Sequence, residues 1–297
     1  MESERCFAHK SVNYHFLAWT PEVEDGSRAP LVLLHGFAQS AHAWDEIAPQ
    51  LARGRAVYAL DLVGQGKSDR PDDTTAYTLE EQGEALLAFL TGVEAGGCGA
   101  QAPHDPKPVV VGYSMGGRVA LAAACRRPQA FGGLVLESVG LGPMDERERA
   151  AVAERDARSA AALRRDGLTA FMNYWEQLPL FATQRELPAA ARERLRAVRL
   201  ANDAESLARA FEEAGQHTMP DRKAVLGCLH ALAESGTPVL YVAGARDDKY
   251  RALAQLLCDN DTCATHLIEN AGHNVHLEAP ERYVCVLEGF LDHQSGR

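Results

Sequence analysis

The sequence predicts an α/β protein, a mostly parallel, doubly wound sheet interrupted by one long helical insert. Three observations predict it. Short aliphatic runs alternate with helix-patterned segments, the order that parallel strands need for their crossovers. The run Val109-Val110-Val111 leads into Gly112-Tyr113-Ser114-Met115-Gly116-Gly117-Arg118 and then an Ala-rich stretch from Val119 to Cys125, which reads as strand, sharp turn and helix. From Gly142 to Arg222 the strand-like runs stop, and only helical patterns dense in Ala, Arg and Glu remain.

In chain order, Val12 to Trp19 reads as an early strand and Thr20 to Pro30 as a polar turn. Leu31-Val32-Leu33-Leu34 suits a buried parallel strand and ends in His35-Gly36-Phe37. Ala43 to Leu51 is patterned as a helix and Ala56 to Leu60 as a strand. The loop Asp61 to Asp69 follows, with Asp61 expected to brace its backbone. Leu79 to Leu90 has helical spacing, whereas Thr91 to Pro108 is rich in Gly, Pro and Ala and reads as a flexible surface connection. Gly133 to Glu137 is a further strand. After the insert, Pro238 to Val242 reads as a strand, Arg251 to Cys258 as a helix, Thr265 to Ile268 as a last strand and Pro280 to Leu291 as a closing helix. The chain thus divides into a core of residues 1–141 and 223–297 around a helical lid of residues 142–222.

The 297 residues carry a formal net charge of −11, which argues against non-specific binding to nucleic acid or an anionic membrane. A small anionic substrate stays compatible, because local arginines override a distant net field. The lid holds 13 arginines, no lysine and 14 acids, a net of −1, against −10 for the remainder. Guanidinium binds carboxylate in a two-pronged way, so this usage suits carboxylate recognition as well as surface salt bridges. No run approaches the length of a membrane span, and Met1-Glu2-Ser3-Glu4-Arg5 lacks the basic start and apolar core of a signal peptide. A cytoplasmic protein is expected. The seven cysteines (Cys6, Cys98, Cys125, Cys228, Cys258, Cys263 and Cys285) are scattered without a C-x-x-C, so free thiols are expected rather than a disulfide frame or zinc site. No metal and no cofactor is expected.

The turn around Ser114 forces the serine into a strained backbone conformation, at the N-terminus of a helix whose free N–H groups favour developing negative charge. The pattern resembles the nucleophile elbow of the α/β-hydrolase fold. A serine hydroxyl is too weakly acidic to act alone at neutral pH. It needs an imidazole to take its proton and a carboxylate to fix the ring. In this fold the order is Ser, then acid, then His, with acid and base on loops after late strands. Asp247 and His273 fall in those places, each near a glycine. Asp248 and Glu137 are the competing acids. His276 and His35 are expected to be structural or pocket-lining. The backbone N–H groups of Phe37 and Met115 are the candidate oxyanion donors.

The elbow with Arg118, the segment Trp175-Glu176-Gln177-Leu178-Pro179-Leu180-Phe181, and Gly272-His273-Asn274 with His276 together resemble the MenH family of menaquinone biosynthesis, over nearly the whole chain. The resemblance implies a lyase. Members eliminate pyruvate from 2-succinyl-5-enolpyruvyl-6-hydroxy-3-cyclohexene-1-carboxylate to give 2-succinyl-6-hydroxy-2,4-cyclohexadiene-1-carboxylate. It implies that Ser114, deprotonated by His273, is the base, and that Arg118, Arg199, Tyr113 and Trp175 bind substrate. A third family arginine lies early in the lid. Here the chain departs from the pattern, and Arg147, Arg149 and Arg155 all stand nearby. A serine esterase or carbon–carbon-bond hydrolase would use the same triad.

Overall fold

A computed structural model describes residues 2–21, 28–94 and 106–295. Its strands are β1 (Glu2–His9), β2 (Val12–Trp19), β3 (Leu31–Leu34), β4 (Val57–Leu60), β5 (Val109–Tyr113), β6 (Gly133–Glu137), β7 (Val239–Gly244) and β8 (Ala264–Ile268). They form one sheet in the order β1-β2-β4-β3-β5-β6-β7-β8. From β4 to β8 all pairings are parallel, whereas β1 with β2 and β2 with β4 are antiparallel. Every residue of β3, β4, β5, β6 and β7 is buried. Helices cover both faces there, so these strands read as continuous aliphatic runs.

The helices are α1 (Ala48–Leu51), α2 (Leu79–Glu94), α3 (Met115–Arg126), α4 (Glu146–Trp175), α5 (Ala189–Leu200), α6 (Ala204–Glu213), α7 (Arg222–Glu234), α8 (Asp248–Asp259), α9 (Val275–Glu278) and α10 (Pro280–Ser295). One face of the sheet packs on α2, α3, α7 and α8 around Phe16, Tyr58 and Phe89. The other packs on α1, α10 and Trp44. Among the described residues, those between β6 and β7 form only helices and turns. The long α4 breaks at Gly167, whose φ of 78° and ψ of 167° are non-helical. Beyond the break, Phe171, Met172 and Trp175 pack with Leu207 and Phe211 of α6 onto Phe37 and Ala38, seating the helical segment on the loop after β3. No described helix is long and apolar enough to cross a membrane.

One strand escaped the sequence reading and two expectations need correction. β1 was not legible, because it is an edge strand whose residues alternate between exposed and half-buried and carry no aliphatic run. The helix expected over Ala43 to Leu51 is a 3₁₀ turn, Ala41–Trp44, followed by the single turn α1. Pro49 opens that second piece, lacking the N–H that would join it to the first. Cys125 at the end of α3 and Cys228 in α7 form a disulfide, their Cα atoms 5.5 Å apart. The two helices pack side by side, a neighbourhood that a separation of 103 positions conceals in the sequence. Of the connection expected over Thr91 to Pro108, residues 95–105, with Cys98, lie outside the described residues.

Candidate active site

β5 ends at Tyr113 and α3 begins at Met115, leaving Ser114 alone in the turn at φ 49° and ψ −105°. A non-glycine residue rarely adopts such backbone, and its cost, of order 1–3 kcal/mol, is met by surroundings that over-determine it. The glycines provide those surroundings. A Cβ on Gly112 would lie 2.5 Å from the Cα of Gly117, and one on Gly116 would lie 2.5 Å from the carbonyl oxygens of Leu34 and His35. Strand, helix and the loop after β3 therefore meet at backbone contact. Ser114 N–H donates to the Glu137 carbonyl at 2.9 Å, tying the elbow to the next strand.

The loop after β3 is fixed from below. His35 Nδ1–H donates to the Gly36 carbonyl (2.7 Å), while Nε2 accepts from Leu62 N–H (3.0 Å), so the ring is held as one neutral tautomer. Its complete burial pushes its pKa down, against the pull of Asp61. Asp61 accepts from the N–H groups of Ala41 and Lys67 and pairs with His15, the bracing role expected of it. Burial pushes its pKa up, but His15, His35 and these donors bring the net shift below the usual value. The resulting loop presents Phe37 beside Met115 on one cavity wall. Neither backbone N–H has a hydrogen-bond partner among the described residues.

Acid and base arrive from the sheet's other half. Asp247 follows β7 and caps α8, its Oδ1 accepting from Tyr250 N–H at 3.3 Å. His273 follows β8. Its Nδ1 lies 2.9 Å from Asp247 Oδ2 and its Nε2 lies 3.2 Å from Ser114 Oγ. Ser114, His273 and Asp247 thus come together in a hydrogen-bonded line. Asp248 points away, 87% exposed and paired with Arg251 at 2.8 Å.

These groups open onto a cavity of about 340 Å³ whose walls include Phe37, Tyr113, Met115, Arg118, Trp175, Arg199 and His273. Arg118 lies one helical turn past Ser114, its N–H donating to the Ser114 carbonyl at 3.3 Å. Its guanidinium makes no hydrogen bond or salt bridge among the described residues, and burial pushes its pKa down despite Tyr250 and Asp156. Arg199 is engaged: it donates to Glu176 Oε1 (3.2 Å) and Gln184 Oε1 (2.8 Å), and its guanidinium stands 5.2 Å from the Phe181 ring centre. Tyr113 packs its ring 5.4 Å from His273. Burial, with Glu137, raises its pKa, so the phenol stays protonated. Trp175 lies 5.3 Å from Phe37 and forms the roof with Phe171, Phe181 and Phe211. Of the early-lid arginines, Arg155 reaches the cavity wall. Arg149 is turned away onto the backbone carbonyls of His217 and Met219, and Arg147 is exposed.

Residues 31–284 match the model of the Alpha/beta hydrolase family. Over 262 residues the chain is 36% identical to the 2-succinyl-6-hydroxy-2,4-cyclohexadiene-1-carboxylate synthase of Salmonella typhimurium, covering 88% of this chain and 93% of that protein. The chain belongs to the alpha/beta hydrolase family, among these synthases. A putative synthase of the same name from Bacillus subtilis is 31% identical over 88% of this chain and 89% of its own. The structure of MenH from S. aureus superposes with a TM-score of 0.84 at 27% identity, over 94% and 98% of the two chains. A carboxylesterase of Nitrososphaera gargenis shares the fold, with a TM-score of 0.76 at 21% identity over 98% and 99%.

Within this alpha/beta hydrolase site, sequence reasoning missed a second carboxylate–imidazole pair. Glu137, wholly buried at the end of β6, accepts from Val275 N–H (2.7 Å), His276 N–H (3.2 Å) and the His276 ring (2.8 Å). The His276 ring stacks on Trp44 at 4.0 Å and meets Tyr113 edge-on at 5.0 Å. Both residues stood among the candidates, but their pairing spans 139 positions. Glu278 was not singled out; it accepts from Gly272 N–H (2.6 Å) and Asn274 N–H (3.3 Å), bracketing His273. Burial raises its pKa.

Proposed function

We propose that the protein eliminates pyruvate from 2-succinyl-5-enolpyruvyl-6-hydroxy-3-cyclohexene-1-carboxylate, giving 2-succinyl-6-hydroxy-2,4-cyclohexadiene-1-carboxylate, with Ser114, His273 and Asp247 as the proton-transfer line. The observation that carries this reading is the Arg118 guanidinium, half-buried in the cavity wall one turn from Ser114 and without a partner among the described residues. A partly desolvated cation with no counter-ion is stabilised when a carboxylate reaches it. An esterase for neutral esters has no use for it, whereas a substrate with three carboxylates does. The relatives that bear the synthase name support the same assignment.

The chemistry follows from the geometry. His273 Nε2 takes the Ser114 proton, and Asp247 stabilises the imidazolium that forms. The serine oxygen removes the ring proton beside the succinyl ketone, acting as a general base. The electron pair moves onto the ketone oxygen, where the N–H groups of Phe37 and Met115 receive it. As the ketone re-forms, the ring double bond shifts and the carbon–oxygen bond to the enolpyruvyl group breaks. The departing enolate takes a proton and becomes pyruvate. Arg118, Arg199 and Arg155 hold the carboxylates, and Tyr113 and Trp175 enclose the ring. The roof over Phe37 keeps water from the dienolate.

The test is pyruvate release from freshly prepared substrate, with the spontaneous loss subtracted. Catalysed release is expected from the native protein and none above background from Ser114→Ala. Activated esters cleaved rapidly, with no pyruvate formed, would transfer the site to the esterases.

A further inference from the structure

A second cavity, of about 280 Å³, lies in the lid behind the first. Arg199 and Phe181 belong to the walls of both, so they form the partition between them. On the far side Arg185, Arg192 and Arg196 join Arg199, while Glu176 and Glu193 are the only acids lining that cavity. Four guanidiniums against two carboxylates is a local excess of positive charge, within a segment whose net charge is −1. Arg196 and Arg199 share one counter-ion, Glu176, through its two oxygens. Arg185 and Arg192 have no salt bridge among the described residues.

A second observation points to a ligand. Gln184, 4% exposed, lines the cavity, and its amide orientation is fixed because Oε1 accepts from Arg199 at 2.8 Å. That leaves Gln184 Nε2 buried with no acceptor among the described residues. A buried donor without a partner costs free energy that a ligand oxygen recovers. Planar guanidiniums and an amide N–H together select carboxylate oxygens.

We propose that this cavity is a second binding site, for a small polycarboxylate, coupled to the catalytic pocket through Glu176 and Arg199. The coupling part of the proposal rests on the lyase reading; the site itself does not. An anion seated against Arg185, Arg192 and Arg196 takes over Arg196. Glu176 is then left to Arg199 alone and neutralises it more fully. Arg199 holds the substrate's carboxylate less strongly, so KM rises while kcat, which depends on Ser114, His273 and Asp247, does not change.

Citrate is the probe, titrated at constant ionic strength against the native protein and against Arg185→Ala/Arg192→Ala, whose altered residues do not line the catalytic pocket. Calorimetry should show citrate binding to the native protein and at least tenfold weaker binding to the double variant. In the pyruvate assay, KM should rise to a plateau of about fivefold, the lower end of ordinary coupling between sites, and the double variant should keep its basal kcat and KM while losing the response. Equal citrate affinity in both proteins, or a KM that climbs without a plateau in both, would place the anion in the catalytic pocket and overturn the site. Binding lost in the double variant with KM unmoved would overturn the coupling. Since calorimetry needs no turnover, a protein inactive on this substrate would sink the lyase reading and leave the site to be judged by its binding alone.

Discussion

Replacing Arg118 by Met separates binding from folding, because the two should move in opposite directions. In the free protein the half-buried guanidinium has no partner among the described residues, and partial desolvation lowers its pKa, so the fold disfavours the charged form. Methionine keeps much of the apolar stem and removes the charge, so stability should rise by up to about 1 kcal/mol, a gain of about 2–4 °C in Tm. In the complex the same charge meets a substrate carboxylate. Removing one partner of a buried ion pair costs about 3–5 kcal/mol, and each 1.36 kcal/mol is tenfold in rate, so kcat/KM should fall by about 150- to 5,000-fold. The assays are thermal unfolding of the free protein and initial rates of pyruvate release. A variant that melts several degrees lower, or that retains native kcat/KM, would refute the argument, the first by showing that Arg118 is a structural residue and the second by removing it from the site.

Asp247→Asn should lower kcat by on the order of 10³- to 10⁴-fold, since the amide favours the wrong imidazole tautomer, while Asp248→Asn, altering an 87% exposed side chain, should stay within about twofold; the reverse result in the rate assay would reassign the acid. His35 sets an acid limit on stability. Its folded pKa lies below the unfolded value of about 6.5, so the unfolded chain takes up the proton first. The stability linked to it is complete above that pH and is lost as pH falls toward the folded value, at up to about 1.4 kcal/mol per pH unit. Denaturant unfolding between pH 7 and 5 should show that slope, and His35→Asn should flatten it; parallel slopes would show that His35 does not titrate in this window.

Much of this was legible because the parallel strands are covered on both faces. Leu31 to Leu34 and Val109 to Val111 need aliphatic residues at every position, and such runs stand out in a sequence. The elbow was legible for a different reason. Gly112, Gly116 and Gly117 each occupy a position where a Cβ would strike backbone or a neighbouring side chain, so their spacing records the close approach directly. What failed to show were features decided by neighbours distant in the chain. The edge strand β1 is half-covered and polar, the Cys125–Cys228 pair lies across the whole helical segment, and the helix register that brings Arg155 rather than Arg147 or Arg149 to the cavity depends on how α4 packs.

Glu137 illustrates the boundary between the two. By sequence it competes with Asp247 for the role of acid, because each carboxylate sits at the end of a parallel strand beside the elbow. The structure gives Glu137 three donors, all from residues 275 and 276, which occupy both its oxygens. It grips the segment immediately after His273, while Glu278 bonds the N–H groups of Gly272 and Asn274 on either side of it. The backbone flanking the histidine is thus held by two carboxylates and its ring by a third, Asp247. Proton transfer over 3.2 Å to Ser114 tolerates little misplacement, so the two extra acids serve to position the base that the third one orients.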